Sequence, residues 1–256
     1  MESLIRRAAE DIMERGTAAA LTGSGMSAES GIPTFRDKGG FWEKYDPNLY
    51  AHIGTFFTDP GKPWQMVKEF DSIARAQPNP GHHALAELER MGYLKGVITQ
   101  NVDNLHQQAG SSNVIEFHGN MRRAVCLNCR RYYPMEEISL EVLPPRCECR
   151  GVLKPDAVFF GEPIPAIALR QAQEASQQCR LMLVIGTSAV IYPAASLPRI
   201  AKESGAMVVE INPETTPLTD HTSDYIIIGK AGEILPKIVS EIRTLSRAGK
   251  EIPRSR

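Results

Sequence analysis

A glycine-rich turn at residues 23–28 has the composition of a site where an anion approaches the backbone closely. Gly23, Gly25 and Ala28 fit the pattern G-x-G-x-x-[G/A] directly after the short apolar run TAAALT (17–22). In dinucleotide-binding proteins this pattern brings a pyrophosphate to backbone N–H groups at a helix N-terminus. An ordinary strand-to-helix turn is the alternative, because the next predicted strand lies about 70 residues further on, where the usual unit is complete in about 30.

Polar residues follow four of the predicted strands, at 99–103, 118–119, 186–188 and 212–213. One such cluster alone is readily explained as a helix cap. In an open parallel sheet, however, ligands bind outside the carboxyl ends of the strands. Four clusters at one edge therefore predict a polar crevice, and with the glycine turn they favour a nucleotide site.

Among the six histidines, His118 is the candidate general base. It ends the apolar run Val114–Phe117 beside a glycine, at the predicted crevice, and imidazole exchanges protons near neutral pH. His82 and His83 open a predicted helix and are expected to face solvent. His106 is expected to be a packing or hydrogen-bonding residue.

Four of the five cysteines form two closely spaced pairs, Cys126-x-x-Cys129 and Cys147-x-Cys149. Such pairs can supply a tetrahedral set of four thiolates, which favours zinc. A redox pair is the rival interpretation, but a redox motif has one C-x-x-C and no second pair. Four protein ligands leave no open coordination position, so the predicted role of the metal is structural.

Apolar runs alternate with helical segments along most of the chain, which predicts an α/β fold with a doubly wound parallel sheet. A first helix is predicted to end near Gly16. The further predicted strands are 96–101, 114–119, 181–188, 207–212 and 224–229, and the further helices are 82–94, 165–178, 193–204 and 232–247. Segment 120–156 breaks this alternation and is predicted to be a small inserted module.

Composition and charge exclude several classes of protein. With 29 basic and 30 acidic residues, the chain has a net charge of −1, so nucleic-acid binding is not directly indicated. No apolar run approaches the length of about 20 residues that spans a bilayer. The N-terminal segment MESLIRRAAEDIMERG has helical spacing and does not resemble a secretory signal. We therefore expect a cytoplasmic protein with reduced cysteines.

Taken together, these motifs resemble the sirtuins, a family of NAD-dependent protein-lysine deacylases. The resemblance rests on the His118-Gly119 pair, the paired cysteines and four longer motifs, GSGMSAESGIPTFR (23–36), TQNVDNLH (99–106), VFFGE (158–162) and GTSAVIYPAA (186–195). It implies a modified Rossmann-like NAD-binding domain and a small domain, with the substrate cleft between them. The large domain would comprise 1–35, 81–119 and 157–256, and the small domain would combine the insert 36–80 with the zinc module 120–156.

The resemblance also implies roles for individual residues. His118 and Asn101 would be catalytic, with His118 as the general base for a ribose hydroxyl. The implied NAD-binding residues are Gly23, Ser24, Gly25, Ala28, Phe35, Arg36, Gln100, Asn101, Asp103, Gly186, Thr187, Ser188, Asn212, Lys230 and Ala231.

For the second substrate, an acetylated-lysine protein or peptide, the resemblance implies an apolar tunnel walled by Val158, Phe159 and Phe160. Gly161 and Glu162 would pair with the peptide backbone as an added strand. The implied products are free lysine, nicotinamide and O-acyl-ADP-ribose. One structural Zn²⁺ would be held by Cys126, Cys129, Cys147 and Cys149.

The chain departs from the family pattern at two positions and carries one hint about the acyl group. Gly23-Ser24-Gly25 replaces the usual Gly-Ala-Gly, and the second cysteine pair is closer than usual. Sirtuins that prefer succinyl or malonyl groups resemble one another in a Tyr-x-x-Arg pair, where this chain has Val67 and Phe70. We therefore expect acetyl or longer neutral acyl groups.

Two alternatives remain open at the level of sequence. The same NAD pocket could serve mono-ADP-ribosyl transfer to protein. A non-catalytic zinc-ribbon regulator is the other, although it leaves the polar crevice unexplained. The oligomeric state is not predicted.

Overall fold

The computed structural model describes residues 1–34, 40–69 and 75–249. Phe35 and Arg36, assigned above to NAD binding, lie outside the described residues, as do Phe70 and residues 250–256. The α-helices described are α1 Glu2–Arg15, α2 Phe41–Lys44, α3 Pro47–Tyr50, α4 Ile53–Thr58, α5 Gly61–Glu69, α6 Pro80–Arg90, α7 Leu105–Gln108, α8 Ala166–Gln178, α9 Leu197–Glu203 and α10 Ala231–Arg247. Over these ranges, every helix is too short or too polar to serve as a membrane span.

Six parallel strands form the large sheet, in the spatial order β3-β2-β1-β7-β8-β9. Their bounds are β1 Ala18–Thr22, β2 Leu94–Thr99, β3 Val114–Glu116, β7 Leu181–Ile185, β8 Met207–Asn212 and β9 Tyr225–Ile228. The predicted doubly wound parallel sheet is confirmed. Strand order reverses between β1 and β7, which is the position where such sheets open a ligand crevice.

Strands β1 and β7 are buried along their whole length because helices cover both faces of the sheet. One face packs on α1, α6 and α10, and the other packs on α8 and α9. These contacts fix the central strands, so the turns that leave their carboxyl ends start from a rigid base.

A second, three-stranded antiparallel sheet has the order β5-β4-β6. Its strands are β4 Gly119–Cys126, β5 Tyr132–Pro134 and β6 Leu153–Ala157. A separate apolar cluster joins this sheet to helices α3–α5, with Trp64 fully buried and its Nε1 donating to Leu153 O at 2.8 Å. The helical insert and the cysteine module are thus packed on each other. The domain boundaries given above stay a prediction.

Several predicted elements end earlier in the structure, and the polar clusters are the reason. Strand β2 ends at Thr99, β3 at Glu116 and β7 at Ile185, so the residues that follow lie in turns. Helix α6 starts at Pro80 because Asn79 Oδ1 accepts from Gly81 N at 2.9 Å and caps it. The predicted helix 193–204 is a 3₁₀ turn over Ala194–Ser196 followed by α9.

The expectation that His82 faces solvent is wrong. His82 is fully buried, because its Nδ1 accepts from Asn79 N at 3.3 Å in the capping box of α6. Its ring packs on His106, with centroids 4.8 Å apart, and His106 Nε2 lies 3.0 Å from Thr22 Oγ1. Burial lowers the pKa of His82 to about 2 and that of His106 to about 4. His83, its neighbour in α6, is exposed.

We expect the buried histidine pair to make the fold sensitive to acid. The pKa of each histidine is lowered on folding from 6.5, so below pH 6.5 the unfolded chain binds more protons. The free energy of unfolding should therefore fall as pH decreases from 6.5, by about 1.4 kcal/mol per pH unit for each histidine. Denaturant unfolding at several pH values between 5 and 7.5 measures this slope.

The substitution His82→Gln should reduce this pH dependence, whereas His83→Gln should change it little, because His83 is exposed and is the smallest of the causes that lower the pKa of His82. An identical slope in the wild-type and His82→Gln proteins would contradict the assignment.

Candidate active site

A cavity of about 760 Å³ opens at the carboxyl ends of β1, β2, β7 and β8. It lies where the strand order reverses, between the large sheet and the cluster formed by the helical insert and the three-stranded sheet. Its wall combines the glycine turn, the polar turns after the other strands and the segment that follows β6. Representative lining residues are Gly23, Gln100, His118, Phe159, Thr187 and Asn212.

The turns after β1 and β7 pack directly against each other. Gly25 N donates to Gly186 O at 2.9 Å, and a Cβ on Gly25 would lie 2.8 Å from Gly186 Cα. Gly186 has φ +56, and a Cβ there would collide with Met26 N. Both glycines are therefore required by the contact of the two turns. After Gly23 the chain forms two 3₁₀ turns, Ser24–Met26 and Ala28–Ser30, in place of the α-helix that the pattern predicts.

A buried hydrogen-bond chain connects the glycine turn to the turn after β2. Asn101 Nδ2 donates to Gly23 O at 2.9 Å and to Ser27 Oγ at 3.1 Å. Ser27 Oγ donates to Asp103 Oδ2 at 2.6 Å, and Asp103 Oδ1 accepts from Leu105 N at 2.9 Å. Burial raises the pKa of Asp103, and its hydrogen bonds oppose this rise. Ser27 was not singled out in the sequence, where its only signal was a hydroxyl inside the turn.

The turn after β7 is held by two side chains, those of Gln100, which follows β2, and Asn212, which ends β8. Gln100 Nε2 donates to Thr187 Oγ1 at 2.9 Å, and Asn212 Nδ2 donates to Thr187 O at 3.2 Å. Thr187 Oγ1 also accepts from Ala189 N at 3.2 Å. Ser188 is exposed and lines the cavity. The predicted polar residues therefore meet at one edge, and several of them shape the turns themselves.

His118 is half-buried in the cavity wall, and its tautomer follows from its one hydrogen bond. Nδ1 lies 3.0 Å from Gln100 O, and a carbonyl oxygen only accepts, so Nδ1 carries the proton. Nε2 is then left with a free lone pair. Burial lowers the pKa of His118, while the hydrogen bond to Gln100 opposes this shift. Such an imidazole is neutral at pH 7 and can accept a proton at Nε2.

The segment 158–162 forms the wall beside His118. Val158 N donates to His118 O at 2.8 Å, and Phe160 N donates to Ala51 O at 2.8 Å. Phe159 is buried against Phe56, with ring centroids 5.6 Å apart, whereas Phe160 is 40% exposed. The cavity also has an apolar wall that the sequence reasoning did not identify as such, formed by Trp42, Met66, Ile164, Leu169, Val190 and Tyr192.

Four of the described residues that were predicted to bind NAD do not line the cavity. Ala28 is exposed in the second 3₁₀ turn, Lys230 is an exposed residue before α10, and Ala231 is the buried first residue of that helix. Their assignment to NAD binding stays a prediction. Asp103 is also absent from the lining and lies behind it, where it contacts Ser27.

The four clustered cysteines fit one zinc ion. Their sulfur atoms all lie within 4.8 Å of one another, with Cys126–Cys149 at 3.5 Å and Cys129–Cys147 at 3.6 Å. Four sulfurs at about 2.3 Å from a tetrahedral zinc would be about 3.8 Å apart. The close Cys147-x-Cys149 spacing is therefore compatible with the full ligand set. None of these cysteines lines the cavity.

Comparisons with known proteins agree with this geometry. The profile of the Sir2 family matches residues 23–193. The chain is 51% identical over 224 residues to an NAD-dependent protein deacylase 2 from Pyrobaculum aerophilum, which covers 87% of this chain and 89% of the relative. It is 48% identical over 250 residues to an NAD-dependent protein deacylase 2 from Archaeoglobus fulgidus, covering 96% and 98%.

Two solved structures are similar over nearly their full length. One is a Sir2 homologue in complex with NAD, with 44% identity, a TM-score of 0.86 and coverage of 95% of this chain and 94% of that chain. The other is a Sir2 protein bound to a myristoylated histone peptide, with 41% identity, a TM-score of 0.80 and coverage of 98% and 100%. The profile matches more than half of the chain, and each of the two relatives shares about half of its aligned residues with the chain over most of its own length. The chain therefore belongs to the Sir2 family, the sirtuins.

Proposed function

We propose that the protein removes neutral acyl groups from protein lysine side chains and consumes NAD as co-substrate, giving free lysine, nicotinamide and O-acyl-ADP-ribose. One observation carries the proposal. A single cavity brings the free Nε2 of His118 together with the polar turns at one end and an apolar wall at the other. A nucleotide sugar and an acylated side chain can therefore meet beside a neutral base.

His118 is proposed to act as the general base. NAD supplies an activated ribose carbon from which nicotinamide departs. The hydrogen bond from Nδ1 to Gln100 O fixes the ring orientation, and Nε2 accepts the proton of a ribose hydroxyl. Because burial lowers its pKa, His118 is in the base form at neutral pH.

Asn101 is proposed to orient the sugar. Both N–H bonds of its amide are directed to Gly23 and Ser27, so the group it can offer a ligand is Oδ1, an acceptor for a hydroxyl. Asp103 holds Ser27 and thereby fixes Asn101. The half-buried Ser24 and Gly25, with Gly23, offer the backbone surface for the phosphates, and Ser188 also lines the cavity.

The preference for neutral acyl groups follows from the lining of the cavity. Among the described residues no lysine or arginine lines it, and Val67 and Met66 contribute to its apolar part. A charged acyl group would lose its hydration there without gaining a counter-ion. The relative that binds a myristoylated peptide supports the inclusion of long neutral chains. Water is kept from the reacting sugar by the same apolar side chains.

We expect incubation with NAD and a panel of acylated peptides to release nicotinamide only when a peptide is present. Mass spectrometry should identify O-acyl-ADP-ribose, with acetyl, longer neutral and succinyl groups compared on one peptide sequence. Faster desuccinylation than deacetylation would contradict the acyl preference. An ADP-ribosylated protein in place of O-acyl-ADP-ribose would establish mono-ADP-ribosyl transfer, and absence of any NAD turnover would favour the zinc-ribbon regulator.

We expect His118→Ala to lower kcat by about 10²–10⁴-fold, the range for loss of a general base. Calorimetric titration should show that the variant still binds NAD, since the polar turns are unchanged. In the wild-type enzyme, the acidic decline of kcat/KM should lie below pH 6.5, because burial lowers the pKa of His118 from 6.5. Retention of most activity in the variant would show that another group is the base.

The zinc ion has a structural role and the enzyme is proposed to be cytoplasmic. The four cysteines fill the coordination sphere, and the site lies outside the cavity. Thiolates available for a metal require a reducing compartment, which supports the cytoplasm.

We expect zinc removal to unfold segment 120–156 and to abolish activity without fast reversal. Chelation followed by circular dichroism and limited proteolysis should show new cleavage within this segment, because four thiolates at these distances are left without their cation. Undiminished protease resistance of the metal-free protein would contradict a structural metal.

A further inference from the structure

Lys154 is a buried lysine inside the small domain. It lies in β6, and only 8% of its side chain is exposed. Lysine is rarely buried to this degree unless its ammonium group is paired, because an ammonium without partners loses its hydration. The partners of Lys154 therefore indicate what the charge is used for.

The polar partners of Lys154 lie between Pro155 and Glu162, in the end of β6 and the proposed acyl-lysine wall that follows it. Nζ donates to Ala157 O at 2.7 Å and to Pro155 O at 3.2 Å, and it pairs with Glu162 Oε2 at 2.9 Å. Three acceptors match the three N–H bonds of an ammonium group. Nζ also lies 4.4 Å above the ring centroid of Phe159, a cation–π distance.

Glu162 completes the arrangement. Its Oε2 accepts from Phe159 N at 2.7 Å, and Glu162 N donates to Phe159 O at 2.9 Å. The carboxylate therefore closes residues 159–162 into a turn, and Lys154 anchors this turn to β6. The pairing of Glu162 with a peptide backbone stays a prediction, and in the structure its side chain is directed into its own segment.

The Lys154–Glu162 ion pair also determines the charge that the cavity presents to a ligand. Glu162 lines the cavity, whereas Lys154 does not. Without Lys154, the cavity would present an unbalanced carboxylate at the site of an acylated lysine. Acylated lysine is neutral, but the deacylated product is a cation, and a bare carboxylate would bind the product in preference to the substrate.

We propose that the Lys154–Glu162 ion pair shapes segment 157–162 for acyl-lysine and neutralises its charge, so that the site favours acylated over free lysine. Lys154 is a positioning and specificity-determining residue in this proposal, which rests on the deacylase function. Because the pair lies beside the segment and away from the turns after β1 and β7, its loss affects the peptide and spares NAD.

Steady-state kinetics with an acetyl-lysine peptide tests the proposal. In Lys154→Met, KM for the peptide should rise about tenfold, because the half-buried carboxylate of Glu162 loses its counter-ion. KM for NAD should stay within about twofold. The double variant Lys154→Met/Glu162→Gln should recover much of the loss, because it removes the uncompensated charge.

Inhibition by the unacylated lysine peptide separates this role from a merely structural one. Inhibition should be stronger in Lys154→Met than in the wild-type enzyme, because the carboxylate of Glu162 has lost its counter-ion. It should be weaker in Glu162→Gln, because the ammonium group of Lys154 has lost its counter-ion. A structural defect would weaken binding of this peptide in both variants. If Lys154→Met does not fold, Glu162→Gln alone tests the sign of the charge effect, because an unpaired ammonium should weaken binding of the cationic unacylated peptide more than that of the neutral acetyl-lysine peptide, whereas a structural defect should weaken both alike.

Lys202→Met is the matched control, because it breaks a 2.6 Å ion pair with Asp224 that lies outside the cavity lining. It should leave both KM values and the product inhibition unchanged. An unchanged peptide KM in folded Lys154→Met, or equal shifts of inhibition in both single variants, would overturn the proposal. If the deacylase function itself were wrong, the wild-type enzyme would turn over no acylated peptide.

Discussion

The contact between the turns after β1 and β7 is the constraint on which the site depends. These strands are neighbours at the point where the sheet reverses its order, so their turns leave in opposite senses and open a crevice. The turns meet at Gly25 and Gly186 with no space for a side chain. This contact sets the floor of the cavity, and the hydrogen bonds of Asn101 and Gln100 extend it to the other polar turns.

The proposed general base and the proposed substrate wall come from different parts of the chain. His118 lies between β3 of the large sheet and β4 of the three-stranded sheet, and segment 158–162 follows β6. Strands β4 and β6 pair between Gly119 and Ala157, which brings both ends of the module together. The zinc-bound module thus affects the active site through the strands that return the chain to it.

Fold class, the polar edge and the metal ligands were predictable because each depends on local pattern. Alternating apolar runs predict the sheet, and cysteine spacing predicts the S₄ cluster. The burial of His82 was not predictable, since it depends on a capping box and on His106, which is distant in sequence. The inward direction of the Glu162 side chain was not predictable either, since it depends on the ion pair with Lys154. Side-chain direction in turns is set by tertiary partners, which single-sequence patterns do not contain.

The hydrogen bond from Val158 N to His118 O has a mechanical consequence. The residue that carries the imidazole is tied, through its own carbonyl, to the first residue of the acyl-lysine wall. Because the two backbones are joined directly, a displacement of either one at this bond is shared by the imidazole and the wall. One backbone hydrogen bond thus sets the spacing between the proposed proton acceptor and the proposed acyl-lysine wall, so that the two are not anchored independently.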